Sequence, residues 1–293
     1  MPRTVPFTIV DVFSQGKYTG NQLAVFENAG SLTADEMQRV AKEINFSESA
    51  FIMSNSRETN RYQVRIFTPN EEIPFAGHPL IGTAYVIQQN LLDGSASNIN
   101  LHVKAGMIPI SIDHRSEVFW MQQNEPTFGQ TFSNAQLSKL LGIPEQYMDT
   151  RYPIQEVETG LPVIIVPLIS LHAVKKVRIE KEHYYRLIEQ TNAKGILVFS
   201  PETYHEENDL NVRDFADYYG IPEDPATGSS NGCLVAYLVK YRYLGTDRID
   251  VRVEQGYEIG RPSLLFLRAF HKKSINVSVG GKVEKIAQGE WLL

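Results

Sequence analysis

Glu48, His78 and Asp224 are the residues of this chain whose types and neighbours could move a proton. Glu48 lies in Asn45-Phe46-Ser47-Glu48-Ser49-Ala50-Phe51, where polar residues give way to apolar ones. Its carboxyl therefore falls at the seam between a loop and a buried strand. Desolvation at such a seam raises the pKa of a carboxylic acid and suits it to shuttling protons near neutral pH. The same residue beside serines also fits an ordinary solvated loop. His78 follows a turn glycine in Pro74-Phe75-Ala76-Gly77-His78-Pro79, which fixes the imidazole at the mouth of a helix. A histidine there can equally serve as a cap or polar filler. Asp224 precedes Pro225, which biases it toward an extended conformation, and its plain reading is a turn aspartate.

Two of these residues sit in stretches that resemble each other. Glu72-Ile73-Pro74-Phe75-Ala76-Gly77 and Glu223-Asp224-Pro225-Ala226-Thr227-Gly228 each bring an acid and a proline to a turn glycine, and an apolar run rich in small residues follows. Such a repeat points to two related halves. Gly77 and Gly228 let the backbone approach another group closely, and each opens a helix whose first N–H groups are unpaired. Two such ends facing across a cleft would grip a small anion from both sides. Thr227, Ser229 and Ser230 add hydroxyls that suit a substrate carboxylate, although the same atoms could simply cap a helix.

Other chemistries find less support. Gly228-Ser229-Ser230-Asn231-Gly232 fits the nucleophile-elbow pattern, and Asp247 or Asp250 and then His271 follow in hydrolase order. An elbow needs an apolar strand before it, whereas Pro222-Glu223-Asp224-Pro225-Ala226-Thr227 is polar and does not read as a buried strand. The seven histidines lack metal-ligand spacing, and no phosphate-binding glycine motif appears. The expectation is chemistry by side chains alone, with no cofactor and no metal.

The elements that must hold these residues are short. Strands are expected at Phe7 to Phe13, Leu23 to Phe26 and Ser49 to Met53. A helix capped by Thr33 and Glu36 precedes the third, with Met37, Val40, Ala41 and Ile44 at helical spacing. A helix from about His78 to Leu92 follows the first glycine turn, and strands turn at Gly106. Ser133 and Gln136 form a second capping pattern, and a charged helix is expected near Glu182 to Gln190. The apolar stretch Leu161 to Val174 reads as buried strand, too broken by prolines to span a bilayer. Many short strands with one central helix per half indicate an α+β fold rather than a doubly wound parallel sheet. The polar gap Asp113-His114-Arg115-Ser116 marks the boundary, giving halves of 1–115 and 116–281 ahead of a final strand, 282–293.

The chain has 293 residues, which suggests two domains of roughly 150 residues each. Its net charge of −6 and lack of a basic cluster argue against nucleic acid or an anionic membrane as partner. A lone cysteine, Cys233, excludes an internal disulfide and is consistent with a cytoplasmic protein. The expected partner is a small anionic molecule.

On these residues the chain resembles the PhzF family, related in fold to diaminopimelate epimerase. The likeness runs nearly end to end. It is carried by Asn45-Phe46-Ser47-Glu48, Arg65-Ile66-Phe67-Thr68-Pro69, the two glycine turns, and Gly256-Tyr257-Glu258-Ile259-Gly260-Arg261-Pro262. The resemblance implies two pseudo-symmetric β-barrel-like halves, each around a central helix, with the final strand 282–293 returning to the first half, an active site in the interdomain cleft, and a homodimer. It implies a cofactor-independent isomerase in which Glu48 is the catalytic carboxylate, while His78 and Asp224 assist proton movement. Asn21, Ser47, Gly77, Thr227, Gly228 and Ser229 would line the substrate site. Epimerases of this fold use one cysteine from each half. Here those positions read Ala76 and Thr227, which excludes paired-thiol chemistry. A binding protein that uses the same cleft without turnover is the alternative.

Overall fold

The computed structural model of the chain describes residues 3–56 and 61–293. It forms two units, Met1–Gln122 with Gly280–Leu293, and Gln123–Val279.

The first unit runs β1 (Thr4–Val12), β2 (Asn21–Phe26), α1 (Ala34–Ile44), β3 (Glu48–Ser56), β4 (Arg61–Phe67), β5 (Glu72–Ile73), α2 (Gly77–Val86), β6 (Asn98–Val103), β7 (Gly106–Asp113) and β8 (Val118–Gln122). α1 starts on the expected capping box, with Thr33 and Glu36 exchanging side-chain and backbone bonds. Its buried face is Met37, Val40 and Ala41. Asn45 ends it in the left-handed region at φ 56° and turns the chain toward β3. α2 is buried at every residue except Tyr85, so it cannot be a surface helix. It packs on β1, β2, β3, β6, β7 and β8. α-Helical geometry ends at Val86 and a π-helical segment continues it from Ile87 to Leu91, so the helix reaches nearly to the expected Leu92.

The second unit runs β9 (Thr127–Phe132), α3 (Asn134–Leu141), β10 (Ile154–Glu158), β11 (Pro162–Pro167), α4 (Leu171–Lys176), α5 (Lys181–Ile188), β12 (Gly195–Ser200), β13 (Leu210–Ala216), β14 (Ile221–Asp224), α6 (Gly228–Lys240), β15 (Arg248–Gln255), β16 (Ser263–His271) and β17 (Ile275–Gly281). β18 (Val283–Leu292) then pairs antiparallel with β1 along its whole length. The Ser133–Gln136 capping box starts α3 as expected. α6 is the buried helix of this unit, packed on β10, β11, β12, β15 and β16.

The pairing series is the same in both units. β1–β2 is antiparallel, β2–β3 parallel, β3–β4 and β4–β5 antiparallel, β4–β6 parallel and β6–β7 antiparallel. From β10 onward the series repeats: β10–β11 antiparallel, β11–β12 parallel, β12–β13 and β13–β14 antiparallel, β13–β15 parallel, β15–β16 antiparallel. The glycine turns at Gly77 and Gly228 fall at the same step of each series. The result is a mixed α/β, sheet-rich fold.

Three local expectations are corrected. The apolar stretch Leu161 to Val174 is strand only to Pro167; Ser170 then caps α4 by accepting from the Ala173 N–H at 3.2 Å. A capping hydroxyl followed by residues without strand alternation outweighs their apolarity. The polar gap at Asp113 is a hairpin turn between paired strands β7 and β8, with Asp113 Oδ1 accepting from the Arg115 and Ser116 N–H groups. Asp224 does end a strand, the short β14, and is buried rather than exposed in a turn. Among the described residues, no helix is long and apolar enough to cross a membrane.

Candidate active site

In the first unit, three expected site residues come together at strand and helix starts. Asn21 is the first residue of β2 and Glu48 the first of β3, and the parallel register sets Leu23 beside Glu48. His78 is the second residue of α2. Glu48 Oε2 lies 3.4 Å from His78 Nε2, while the Asn21 side-chain amide nitrogen lies 3.4 Å from His78 Nδ1. The Glu48 and His78 side chains are only 13% and 6% exposed. Burial pushes His78 down to about 3, opposed in part by a hydrogen bond with the Gln22 backbone. The imidazole is therefore neutral at physiological pH, and its contact with Glu48 is not an ion pair. Ser47 is half-buried in the turn before β3, and Gly77 is buried at the first position of α2.

The helix starts matter electrostatically. Side chains cap α1, α3 and α4, whereas the two buried helices α2 and α6, like the short α5, have no side-chain cap. The N-cap positions of α2 and α6 are Ala76 and Thr227. An uncapped N-terminus presents N–H groups and the positive end of the helix dipole to an anion.

In the second unit the arrangement turns on Asp224, Thr227 and a residue the sequence reading missed, Gln255. The Gln255 side-chain oxygen accepts from the Thr227 backbone N–H (3.1 Å) and from Asn231 Nδ2 (2.9 Å). Its Nε2 donates to the Asp224 carbonyl (2.8 Å) and to Thr227 Oγ1 (3.0 Å). The backbone partners fix the orientation of this amide. Because Thr227 Oγ1 already accepts, its single proton is directed to Asp224 Oδ2, with which it makes a short hydrogen bond. The hydroxyl thus serves Asp224 and does not cap the helix. Gly228 is buried and Ser229 half-buried as the first two residues of α6, so Ser229 occupies the step that His78 occupies in α2. Gly256 supports the turn from below: at φ 79° it packs so closely that a Cβ would collide with the carbonyls of Arg261 and Pro225. That contact gives the Gly256-to-Pro262 motif its physical reason.

The repeat also explains two ion pairs. Arg65 grips Glu72 through Nε (2.8 Å) and a terminal nitrogen (2.6 Å), and Arg213 grips Glu223 in the same way (2.9 and 2.7 Å). Each guanidinium also lies over a phenylalanine two residues on, Phe67 at 5.1 Å and Phe215 at 4.8 Å. These forks tie the short strands β5 and β14 to β4 and β13, and so hold the approach to each glycine turn. Between Arg213 and Phe215 stands Asp214, a buried carboxyl that sequence reading also missed. Matching Arg65-Ile66-Phe67 to Arg213-Asp214-Phe215 is the signal that could have found it.

The remaining nucleophile candidates are closed off. Cys233 is fully buried within α6, 3.4 Å from Thr159 Oγ1, and burial pushes its thiol up to about 12. Ser230, the elbow candidate, is buried in the first turn of α6 and hydrogen-bonded to Asp214.

Known proteins resemble this chain in sequence and in fold. The family described as phenazine biosynthesis-like protein (PhzC-PhzF) matches residues 10–289. An uncharacterised isomerase of Clostridium acetobutylicum is 31% identical over 97% of both chains. The trans-2,3-dihydro-3-hydroxyanthranilate isomerase of Pseudomonas chlororaphis is 32% identical over 90% of both. A PhzF-family phenazine biosynthesis protein of Bacillus anthracis superposes with a TM-score of 0.90 at 26% identity, covering 99% of this chain and all of that one. The chain is an isomerase and belongs to the PhzC/PhzF phenazine biosynthesis-like family.

Proposed function

We propose that this isomerase moves a proton within a small unsaturated carboxylate, using Glu48 as the acid/base and no cofactor. In the proposed cycle the Glu48 carboxylate takes a proton from a C–H acidified by conjugation, and the electron pair delocalises through the conjugated system. The same carboxyl, after exchanging its proton with solvent, delivers one to a different carbon, so charge and oxidation state are unchanged. Positioned acid/base help of this kind contributes roughly 10²–10⁴ in rate. His78, being neutral, orients Glu48 and the substrate without adding a charge. Asn21 and Ser47 line the same end, and the N–H groups at Gly77 and Gly228 hold carboxylate oxygens with help from Ser229 and Thr227. Asp224 takes part from the second unit. The two halves of the site would meet in a cleft between barrel-like units, in a cytoplasmic homodimer.

The observation that carries this reading is the buried Glu48–His78 contact at the mouth of an uncapped helix. Isomerisation of trans-2,3-dihydro-3-hydroxyanthranilate, the substrate named for the Pseudomonas chlororaphis relative, is the first test. A panel of related unsaturated carboxylates in D₂O, followed by proton NMR, extends it. A shifted double bond with solvent deuterium at a new carbon is the expected result. Saturable binding of the same compounds with no exchange would replace the enzyme reading with that of a binding protein.

A further inference from the structure

Set in one register, the two units differ in a telling way. In the first, Ile66 of β4 pairs with Ile73 of β5; in the second, Asp214 of β13 pairs with Asp224 of β14. The third member of the group changes in parallel, from Pro79 in α2 to Ser230 in α6. Three apolar positions of one unit are thus polar in the other. Directly opposed residues of an antiparallel pair project to one face with Cβ atoms about 4.5–5.5 Å apart. Asp214 is 1% and Asp224 6% exposed, so two carboxyls share a dry site.

Two charges so placed are not tolerated together in a dry site, and the hydrogen bonds say where a proton belongs. Asp224 Oδ2 receives the Thr227 proton, as the Gln255 amide dictates, and acts as an acceptor. Asp214 is the deeper of the two and has the Ser230 hydroxyl as partner, while its Oδ2 is buried with no hydrogen bond. We propose that Asp214 is a positioning residue: it carries the single proton of the Asp214–Asp224 pair, keeps Asp224 an acceptor facing Thr227, and on losing that proton disables this unit's part of the site. The proposal rests on the reading above only in taking Asp224 to serve the substrate.

Burial, with Asp224 and Glu223 nearby and despite the Ser230 hydroxyl, pushes Asp214 up to about 8. The other groups that interact with it are Tyr184 of α5 and Cys233 of α6. Both are pushed up to about 12 and keep their protons at that pH. Glu223 is committed to the Arg213 fork. Above pH 8 the site would gain a second negative charge beside an anionic substrate, which it would then repel.

Carbon-13 NMR of aspartate-labelled protein tests the placement of the proton without any substrate. The expected spectrum has one aspartyl carboxyl that titrates near pH 8, is absent in Asp214→Asn, and moves to higher pH in Ser230→Ala, which removes a partner that favours the ionised form. No such carboxyl, or its persistence in Asp214→Asn, would overturn the proposal. An unmoved midpoint in Ser230→Ala would do the same, and that arm stands even if Asp214→Asn fails to fold. Kinetics test the positioning role. Wild-type kcat/KM should fall about tenfold per pH unit above 8, a limb that Asp214→Asn loses. As a mimic of the protonated acid, Asp214→Asn should also recover at pH 7 what Asp214→Ala loses. An alkaline limb unchanged in Asp214→Asn would contradict positioning, and absence of turnover by the wild type would instead count against the proposed reaction.

Discussion

At the scale of single residues, burial sets the protonation states. His78 is held at about 3 against an ordinary 6.5, so it should show no imidazole titration between pH 5 and 8 by NMR. Because its folded pKa is depressed, the stability tied to it is complete above 6.5 and is lost as pH falls toward 3. Asp214 has the opposite sign. Its folded pKa is raised from 3.8 to about 8, so its contribution is complete below 3.8 and is lost as pH rises through 8. Asp214→Asn should therefore raise the melting temperature more at pH 9 than at pH 4, by an amount that reflects several kcal/mol in order of magnitude. Glu48, His78 and Asp224 were legible because each sits in a motif with a physical reason for its neighbours. Asp214 was not, because a single aspartate between an arginine and a phenylalanine reads as an exposed strand position until strand register is known. Gln255 was hidden for the same reason: nothing local ties it to a turn 28 residues earlier in the chain.

Among elements, the helix starts were the most readable feature. Thr33 with Glu36 and Ser133 with Gln136 each announced a reciprocal cap, and both caps are present. Thr33→Ala should cost about 1 kcal/mol in chemical denaturation, in line with the loss of one N-cap. α4 was misread because apolarity was weighed over the Ser170 cap. The central helices were visible as apolar runs after glycine, but the closeness of their packing was not. A Cβ at Gly82 of α2 would lie 2.6 Å from Leu23 Cδ2 and 2.8 Å from Val12 Cγ2. Gly82→Ala should therefore destabilise the protein by about 1–3 kcal/mol, against the usual gain from replacing a helical glycine. A stabilised variant would mean that β1 and β2 yield more easily than their packing suggests.

For the whole chain, duplication is the organising fact, and strand pairing states it more fully than sequence does. The glycine turns showed that two segments were related, whereas the matched series of parallel and antiparallel pairs extends the relation through both units. The return of the last strand came from family resemblance, since composition alone does not link chain ends. β18 covers β1, and its Trp291 ring packs edge-on against Phe7 and Phe26 at 5.9 and 5.7 Å. Deleting residues 282–293 should therefore abolish cooperative unfolding of the first unit by calorimetry, although most of β18 is surface strand. Within the duplicated frame each unit carries a different polar set: Glu48 and His78 in one, Asp224 and Thr227 in the other. The proposed isomerisation by one carboxyl would use that asymmetry. The most direct test of it is deuterium incorporation in D₂O by wild type and Glu48→Gln, with ligand binding measured on both. A loss of at least about 100-fold with binding retained is the predicted result. Unchanged incorporation by Glu48→Gln would contradict the role of Glu48.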